Sequence, residues 1–149
     1  MPIRCEIVSQ DRLVFEGDAD MIIVPGILGE MGILPNHAPL LSTLKMGILR
    51  VRTQGAEEHF TVSGGVIEVQ PDLVTILADA AENVMEIDVA RAEAAKTRAE
   101  EMIAQGPGPD MDNFLELEAA LKRSNLRLEA VRRFRGQDRG YSYRSKEEE

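Results

Sequence analysis

The segment HFTVSGGVIEVQPDLVTIL, residues 59–77, decides the fold. Apolar and polar side chains alternate in FTVSG and in VIEVQ, and this period of two is typical of strands that bury one face. Glycines at positions 64 and 65 separate these two runs, and Pro71 and Asp72 separate the second run from LVTIL. Because such residues favour turns, the segment predicts a meander in the order strand, Gly-Gly turn, strand, Pro-Asp turn, strand.

The chain before residue 59 repeats this strand pattern. Its β-branched runs are broken by Gly, Pro, Asn and Asp, and they include IRCEIVS (3–9), LVFEG (13–17), ADMIIVPG (19–26) and GILRVRT (47–53). Many short antiparallel strands in a segment of this size predict a small β-sandwich or a flattened barrel.

After residue 85 the pattern changes to that of two helices. The first, EIDVARAEAAKTRAEEMIAQG (86–106), is rich in alanine, with Asp88 as a good N-cap and Gly106 as its end. The segment GPGPDMD breaks the helical pattern, and NFLELEAALKRSNLRLEAVRRFR (113–135) predicts a second helix that ends at Gly136. Two helices joined by a short loop favour an antiparallel hairpin.

We therefore expect a β plus α fold, with an N-terminal antiparallel β-sandwich followed by a C-terminal antiparallel two-helix hairpin. The expected units are a docking sandwich over residues 1–86, a regulatory hairpin over 87–136 and a disordered tail over 137–149.

The predicted seam of the first helix consists mostly of alanine: Ala92, Ala95 and Ala99, with Ile103 at its end. Alanine buries little area, and burial contributes only about 25 cal/mol per Å². We expect a hairpin that is held weakly and opens when another surface competes for its faces. A permanently packed hairpin is the alternative.

Composition and charge exclude several classes of protein. The net charge of −9 argues against general nucleic-acid binding. The single cysteine, Cys5, leaves no internal disulfide and fits a reducing compartment. The N-terminal residues do not resemble a signal peptide, and no apolar run approaches the roughly 20 residues that would span a bilayer.

The charge is distributed unevenly along the chain. Residues 121–146 contain nine Lys or Arg and two Asp or Glu, so they form a basic arm on an acidic body. Such an arm is attracted to phosphate or to an acidic protein surface, although a solvated helix face has the same composition.

The sequence contains no catalytic constellation and no cluster of metal ligands with suitable spacing. One set of side chains suggests anion binding. Arg91 and Arg98 lie seven positions apart and Arg123 and Arg127 four apart, so each pair shares a helix face. In an antiparallel hairpin the four guanidinium groups could converge on one anion. The alternative is that these arginines are surface residues.

Two acidic residues, Glu82 and Asp88, lie near the start of the first helix. Their carboxylates could accept hydrogen bonds from a base or a ribose. As the alternative, Asp88 acts only as a helix cap.

The whole order of elements resembles the epsilon subunit of the bacterial F-type ATP synthase. The resemblance covers about residues 1–135, and its most specific segments are GEMGILPNHAPLL (29–41), SGGVIEVQPDLVTILAD (63–79) and IDVARA (87–92). It implies a non-catalytic rotor subunit of the central stalk that needs no cofactor. Such a subunit binds the gamma subunit and the c ring of a proton-translocating complex, peripherally, at the cytoplasmic face of the cell inner membrane.

The resemblance also implies ATP as a regulatory ligand that keeps the hairpin folded. The family motif I/L-D-x-x-R-A is matched by Ile87, Asp88, Arg91 and Ala92. By spacing, the family's further nucleotide contacts are matched by Glu82, Arg98, Arg123 and Arg127. Glu116 departs from the pattern, because a nucleotide-binding member of the family carries a basic residue there.

Two interaction surfaces follow from the same resemblance. The docking loop 29–41 faces the c ring and gamma, with the contact residues Glu30, Met31, Ile33, Leu34 and His37. The inhibitory arm reaches the catalytic alpha and beta subunits when the hairpin extends, through Arg132, Arg133 and Arg135. The alternative for the loop is a plain pair of turns. The alternative for the whole chain is a free-standing nucleotide-sensing module.

Overall fold

The computed structural model describes residues 1–142, and side-chain environments through residue 135. The strands are β1 (Ile3–Val8), β2 (Leu13–Ala19), β3 (Met21–Gly26), β4 (Gly29–Ile33), β5 (Leu40–Thr53), β6 (Ala56–Val69), β7 (Leu73–Ala78) and β8 (Ala81–Asn83). A 3₁₀ turn (Val84–Glu86) leads to the helices α1 (Val89–Ala104) and α2 (Met111–Ser142). None of the described helices has the length and apolar character needed to cross a membrane.

The described strands form one sheet in the order β2-β1-β7-β6-β5-β3-β4, with β8 paired to β6. The pairing of β1 with β7 is parallel, and the other described pairings are antiparallel. Only strands joined by a tight hairpin must be antiparallel, and β1 is separated from β7 by five other strands. The β plus α fold class is confirmed, with this one parallel pair as an addition.

The predicted Gly-Gly turn at residues 64–65 is wrong. Both glycines lie inside β6, with φ of 96° at Gly64 and 128° at Gly65. A Cβ at Gly65 would lie 2.2 Å from the Leu77 carbonyl oxygen. Before this point β6 pairs with β8, and after it β6 pairs with β7. The two glycines therefore let the strand bend and change partner, as glycines inside strands often do.

The second predicted turn of the meander is confirmed. Residue 70 donates from its backbone N–H to the carbonyl of Leu73 at 2.8 Å, across Pro71 and Asp72. This turn joins β6 to β7, whose side chains alternate between the core and solvent as the sequence pattern predicts.

The core between the strands consists mainly of Ile, Val and Leu side chains, which agrees with the low aromatic content. Phe60 is its largest fully buried side chain, and its ring lies edge-on to Phe15 at 5.5 Å. Cys5 is also buried in this core. Burial, with a smaller effect of the Glu6 carboxylate, raises the pKa of the Cys5 thiol to about 12.

The helices form the expected antiparallel hairpin. Met102 near the end of α1 lies beside Phe114 near the start of α2, and Arg91 near the start of α1 lies beside Arg127 in the middle of the longer α2, so the two helices run in opposite directions. Asp88 caps α1 by accepting a hydrogen bond from the Arg91 backbone N–H at 3.0 Å.

The predicted end of the second helix at Gly136 is wrong, because α2 continues through that residue to Ser142. A single glycine weakens a helix by about 1 kcal/mol without ending it. Residues 143–149 of the expected disordered tail lie outside the described residues.

The two halves of α2 pack on different partners. Its first half packs on α1 along the alanine seam, where Ala92 and Ala99 are buried. Its second half packs on the sandwich, in a separate apolar cluster of Val84, Ile87, Ala130 and Phe134, with Ile48 and Val131 at the edge. The hairpin is therefore held by a second contact that the seam alone does not indicate.

The Phe134 ring stacks on the buried imidazole of His59, with ring centroids 4.0 Å apart and planes at 17°. His59 Nε2 lies 2.8 Å from a carboxylate oxygen of Glu57. Burial alone would raise the pKa of Glu57, but hydrogen bonds from Arg52 and His59, with the nearby charge of Arg50, hold it below its ordinary value. Packing of α2 thus involves a polar side chain of β6 as well as apolar ones.

Candidate functional site

A pocket of about 260 Å³ lies where β8, the 3₁₀ turn, the start of α1 and the middle of α2 meet. It brings together six of the eight residues proposed for nucleotide binding. The residues that line it are Glu82, Glu86, Ile87, Asp88, Arg91, Ala92 and Arg127.

A neighbouring pocket of about 110 Å³ shares Glu82 and Arg127 with the first and adds Arg123 and, from the sandwich, Arg12. The two pockets therefore form one cleft. Arg98 lines neither pocket. It is exposed on α1 and lies seven residues, or about 10.5 Å along the axis, beyond Arg91.

Asp88 acts as the helix cap that the local sequence predicts, and it also lines the pocket. Its Oδ1 accepts from the backbone N–H of Arg91, whereas Oδ2 has no hydrogen-bond partner among the described side chains and backbone. One carboxylate can thus cap α1 and still accept a hydrogen bond from a ligand. The helix N-terminus adds a favourable field for an anion at the same place.

The guanidinium groups of the cleft differ in how far they are neutralised. Arg127 Nε donates to Glu82 Oε1 at 2.7 Å, in a partly buried ion pair. Arg12 lies 3.5 Å from Glu86 in a well exposed pair, which contributes little. Within the described residues, Arg91 and Arg123 form no ion pair. The cleft therefore retains cationic groups that a phosphate would neutralise.

The lining of the cleft combines apolar, acidic and cationic side chains. Ile87 and Ala92 offer apolar contact next to the carboxylates of Glu82 and Asp88, and the guanidinium groups line the rest. This suits a ligand with a polar ring system at one end and phosphates at the other. In the part of the chain with described side chains, no group of three or more His, Cys, Asp or Glu is placed to hold a metal ion.

One side chain of the predicted docking loop is buried in the core of this chain. Ile33 is 1% exposed and belongs to the core, because it points inward at the end of β4. Met31 is half-buried against the same core. Glu30 is exposed on β4 and pairs with Arg50 at 2.9 Å.

The remaining two predicted docking residues follow β4, where Leu34 is exposed and His37 is half-buried. The structure adds Ile27 and Leu28, which form the exposed apolar tip of the β3–β4 hairpin. Strand alternation in the sequence does not predict this tip, because the turn between β3 and β4 interrupts the pattern.

A second exposed surface was not predicted. Val66 pairs with Leu77, Leu77 with Val8, and Val8 with Leu13, so four apolar side chains, three of them exposed and Val8 half-buried, form a row across β6, β7, β1 and β2. We call these four residues the apolar row. Single exposed apolar residues are ordinary, but a contiguous set is typical of an interaction surface.

The three arginines of the predicted inhibitory arm have different surroundings. Arg132 is exposed, and Arg133 lies 3.5 Å from Glu129 and 4.8 Å from the centre of the Phe134 ring. Arg135 instead donates from Nη2 to the carbonyl oxygens of Val84 at 2.9 Å and Ile87 at 2.6 Å. In this conformation Arg135 holds α2 against the segment that precedes α1.

The chain matches two family models in sequence. Residues 2–84 match the beta-sandwich domain of the ATP synthase delta/epsilon chain, and residues 85–132 match its long alpha-helix domain. The ATP synthase epsilon chain of Pelotomaculum thermopropionicum is 51% identical over 102 residues, which cover 68% of this chain and 76% of that one. The epsilon chain of Dehalococcoides mccartyi is 44% identical over 133 residues, which cover 89% and 94%.

A solved structure gives the same result. A chain of the mitochondrial ATP synthase of Euglena gracilis, from an assembly with F1 and the c-ring, superposes with a TM-score of 0.70 at 28% identity. The match covers 87% of this chain and 81% of that one. These matches cover nearly the whole chain, through both the β-sandwich and the helical hairpin, and they define the class of protein. The chain belongs to the ATP synthase delta/epsilon chain family, and the resemblance to epsilon subunits is confirmed.

Proposed function

We propose that this chain is a non-catalytic rotor subunit in the central stalk of a proton-translocating F-type ATP synthase. The observation that carries the proposal is the family match, which runs through both the sandwich and the hairpin. The similarity to a chain of the Euglena F1 and c-ring assembly supports it. In this role the chain is peripheral to the cytoplasmic face of the inner membrane and is held there by the complex.

The sandwich, residues 1–86, is the docking unit of this proposal. The apolar row offers gamma a surface whose burial would stabilise the complex. The tip of the β3–β4 hairpin, with Glu30, Leu34 and His37 beside it, faces the c ring. Glu30 and Leu34 are exposed there, which leaves them accessible to a partner.

Size-exclusion chromatography with a gamma subunit tests the docking unit. We expect the wild-type chain to co-elute with gamma and Leu77→Asp to lose this association, since the substitution places a charge within the apolar row. Leu115→Asp is the matched control, because Leu115 on α2 is 53% exposed and Leu77 is 52% exposed. A wild-type chain that elutes alone would favour the free-standing nucleotide sensor instead.

We further propose that the cleft between the sandwich and the hairpin binds ATP as a regulatory ligand. Bound ATP would contact both α1, through Asp88 and Arg91, and α2, through Arg127. It would therefore stabilise the folded hairpin by its differential affinity for that state. When α2 leaves, its basic surface, with Arg132 and Arg133, can reach acidic segments of the catalytic alpha and beta subunits and inhibit ATP hydrolysis.

Calorimetric titration of the full chain with ATP tests the cleft. A charge-assisted hydrogen bond contributes roughly 1.5–3 kcal/mol, so we expect Arg91→Gln to weaken binding about tenfold or more. Arg98→Gln makes the same charge change on the same helix outside the cleft and should leave the affinity nearly unchanged. Equal losses in the two variants would remove the site from this cleft, and no binding at millimolar ATP would leave Asp88 as a helix cap only.

A further inference from the structure

We propose that Arg135 is a positioning residue for the cleft: it holds the Ile87–Asp88 peptide in its binding geometry and so links ligand affinity to the folded position of α2. Its guanidinium donates from Nη2 to the carbonyl oxygens of Val84 and Ile87, at 2.9 and 2.6 Å. This inference rests on the proposed nucleotide site and adds to it a residue that does not line the cleft.

The hydrogen bond to Ile87 acts on the pocket through the planarity of the peptide group. The carbonyl of Ile87 and the N–H of Asp88 belong to one rigid plane. An acceptor bond on one side of this plane therefore fixes the orientation of the whole unit. Ile87 is extended, with φ −66° and ψ 124°, and Asp88 follows as the N-cap of α1. Arg135 thus orients the backbone that presents Asp88 to the pocket.

The second hydrogen bond anchors the other end of the same segment. Val84 begins the 3₁₀ turn, and its carbonyl also accepts a long bond of 3.4 Å from the Ile87 N–H. The hydrogen bond from Arg135 Nη2 to the same carbonyl oxygen, at 2.9 Å, adds to this weak bond across the 3₁₀ turn. The segment from Val84 to Asp88 connects the sandwich to α1, so both ends of the connection are held by one side chain of α2.

The hydrogen bonds of Arg135 to the connecting segment can form and break reversibly. Its Nε is buried and has no hydrogen-bond partner among the described atoms. Burying a donor without a partner costs free energy, which offsets part of the gain from the two charge-assisted bonds. The folded position of Arg135 is therefore only moderately favoured over hydration. These hydrogen bonds can break when α2 leaves and form again when a ligand fills the cleft.

Arg135 stabilises the folded position of α2, whereas the neighbouring arginines act when α2 is extended. Arg132 and Arg133 are exposed, and Arg133 pairs with Glu129 of the same helix, so both remain available to a partner of the extended helix. Removing Arg135 would instead weaken the folded state, because the two carbonyl groups would lose their donor. Neutralising Arg132 and neutralising Arg135 therefore have different consequences, although both remove one positive charge from the same helix turn.

Three variants of the full chain test this proposal: Arg135→Met, Arg135→Lys and, as the matched control, Arg132→Met. Hydrogen–deuterium exchange without nucleotide reports opening of residues 84–92, and calorimetry reports ATP affinity. For Arg135→Met we expect about tenfold faster exchange in this segment. ATP binding should weaken as the competent fraction falls, because the apparent Kd is the intrinsic Kd divided by that fraction. Arg135→Lys keeps a charged donor and should recover part of both effects, whereas Arg132→Met should match the wild type.

Exchange in strands β5 and β6 distinguishes local opening from loss of the fold. If Arg135→Met unfolds these strands too, the comparison of Arg135→Lys with the wild type takes over the test. The proposal is overturned if Arg135→Met behaves like Arg132→Met, or if affinity falls while exchange in residues 84–92 is unchanged. If the wild type does not bind ATP but Arg135→Met still accelerates exchange there, the nucleotide site fails and the positioning role stands.

Discussion

Truncation of Phe134 should detach the second half of α2 from the sandwich without unfolding the sandwich. The Phe134 side chain is 8% exposed and packs with Val84, Ile87 and Ala130 in a cluster separate from the main core. Its ring also stacks on His59 at 4.0 Å. Because the main core contains none of these residues of α2, the change Phe134→Ala removes a docking contact only.

The magnitude follows from the size of the lost contact. Phe→Ala changes at buried sites cost about 3–5 kcal/mol. Phe134 lies at the edge of a small cluster, where water can enter the space left by the ring, so we expect the lower limit of about 3 kcal/mol. This corresponds to roughly a hundredfold shift in the equilibrium between docked and undocked α2.

Hydrogen–deuterium exchange resolved by segment measures this shift directly. We expect exchange of residues 125–135 to accelerate strongly in Phe134→Ala, while β5, β6 and β7 keep their protection. Phe114→Ala is the matched control, since Phe114 is half-buried at the opposite end of α2, near the loop between the helices. Equal acceleration in both variants, or uniform loss of protection in the strands, would refute the assignment of Phe134 as the docking contact.

Two further predictions concern the sandwich. Gly65→Ala should lower the urea midpoint severely, because a Cβ would lie 2.2 Å from the Leu77 carbonyl oxygen at a φ of 128°, whereas Gly55→Ala, at φ 81° with open space around it, should cost much less. Cys5 should react with thiol reagents at pH 8 only after unfolding: its pKa of about 12 keeps the native thiol protonated, so rapid labelling of the folded chain would contradict its burial.

The sequence predicts the fold class well because the two periodicities are strong and do not overlap along the chain. It fails at Gly64 and Gly65, since a tight turn and a bend inside a strand both use glycine at positive φ. Whether the chain turns back or only bends at these glycines depends on the neighbouring strand. β5 keeps one register with β6 from Leu40 opposite Val69 to Thr53 opposite Ala56, so the two strands bend together instead of ending.

The sequence predicts part of the site because the residues of one short motif lie close together along the chain. Ile87, Asp88, Arg91 and Ala92 lie within the first turns of one helix, and helical geometry alone brings them to the same pocket. Arg98 shares a face with Arg91 but lies two turns further along the axis, so a shared face does not place it in the pocket. The contribution of Arg12 depends on tertiary packing, which the spacing of the helical arginines does not report.

The role of Arg135 shows why charge pattern alone misassigns residues of the basic arm. In sequence, Arg132, Arg133 and Arg135 are equivalent members of a cationic run. On a helix, however, Arg133 and Arg135 lie about 200° apart around the axis and so face nearly opposite sides, whereas Arg132 lies about 60° from Arg135 but almost a full turn before it. Arg135 meets the backbone of the connecting segment because Phe134 and Ala130 anchor that face of α2 on the sandwich. The apolar cluster decides which arginine holds the folded state and which remain free to act in the extended one.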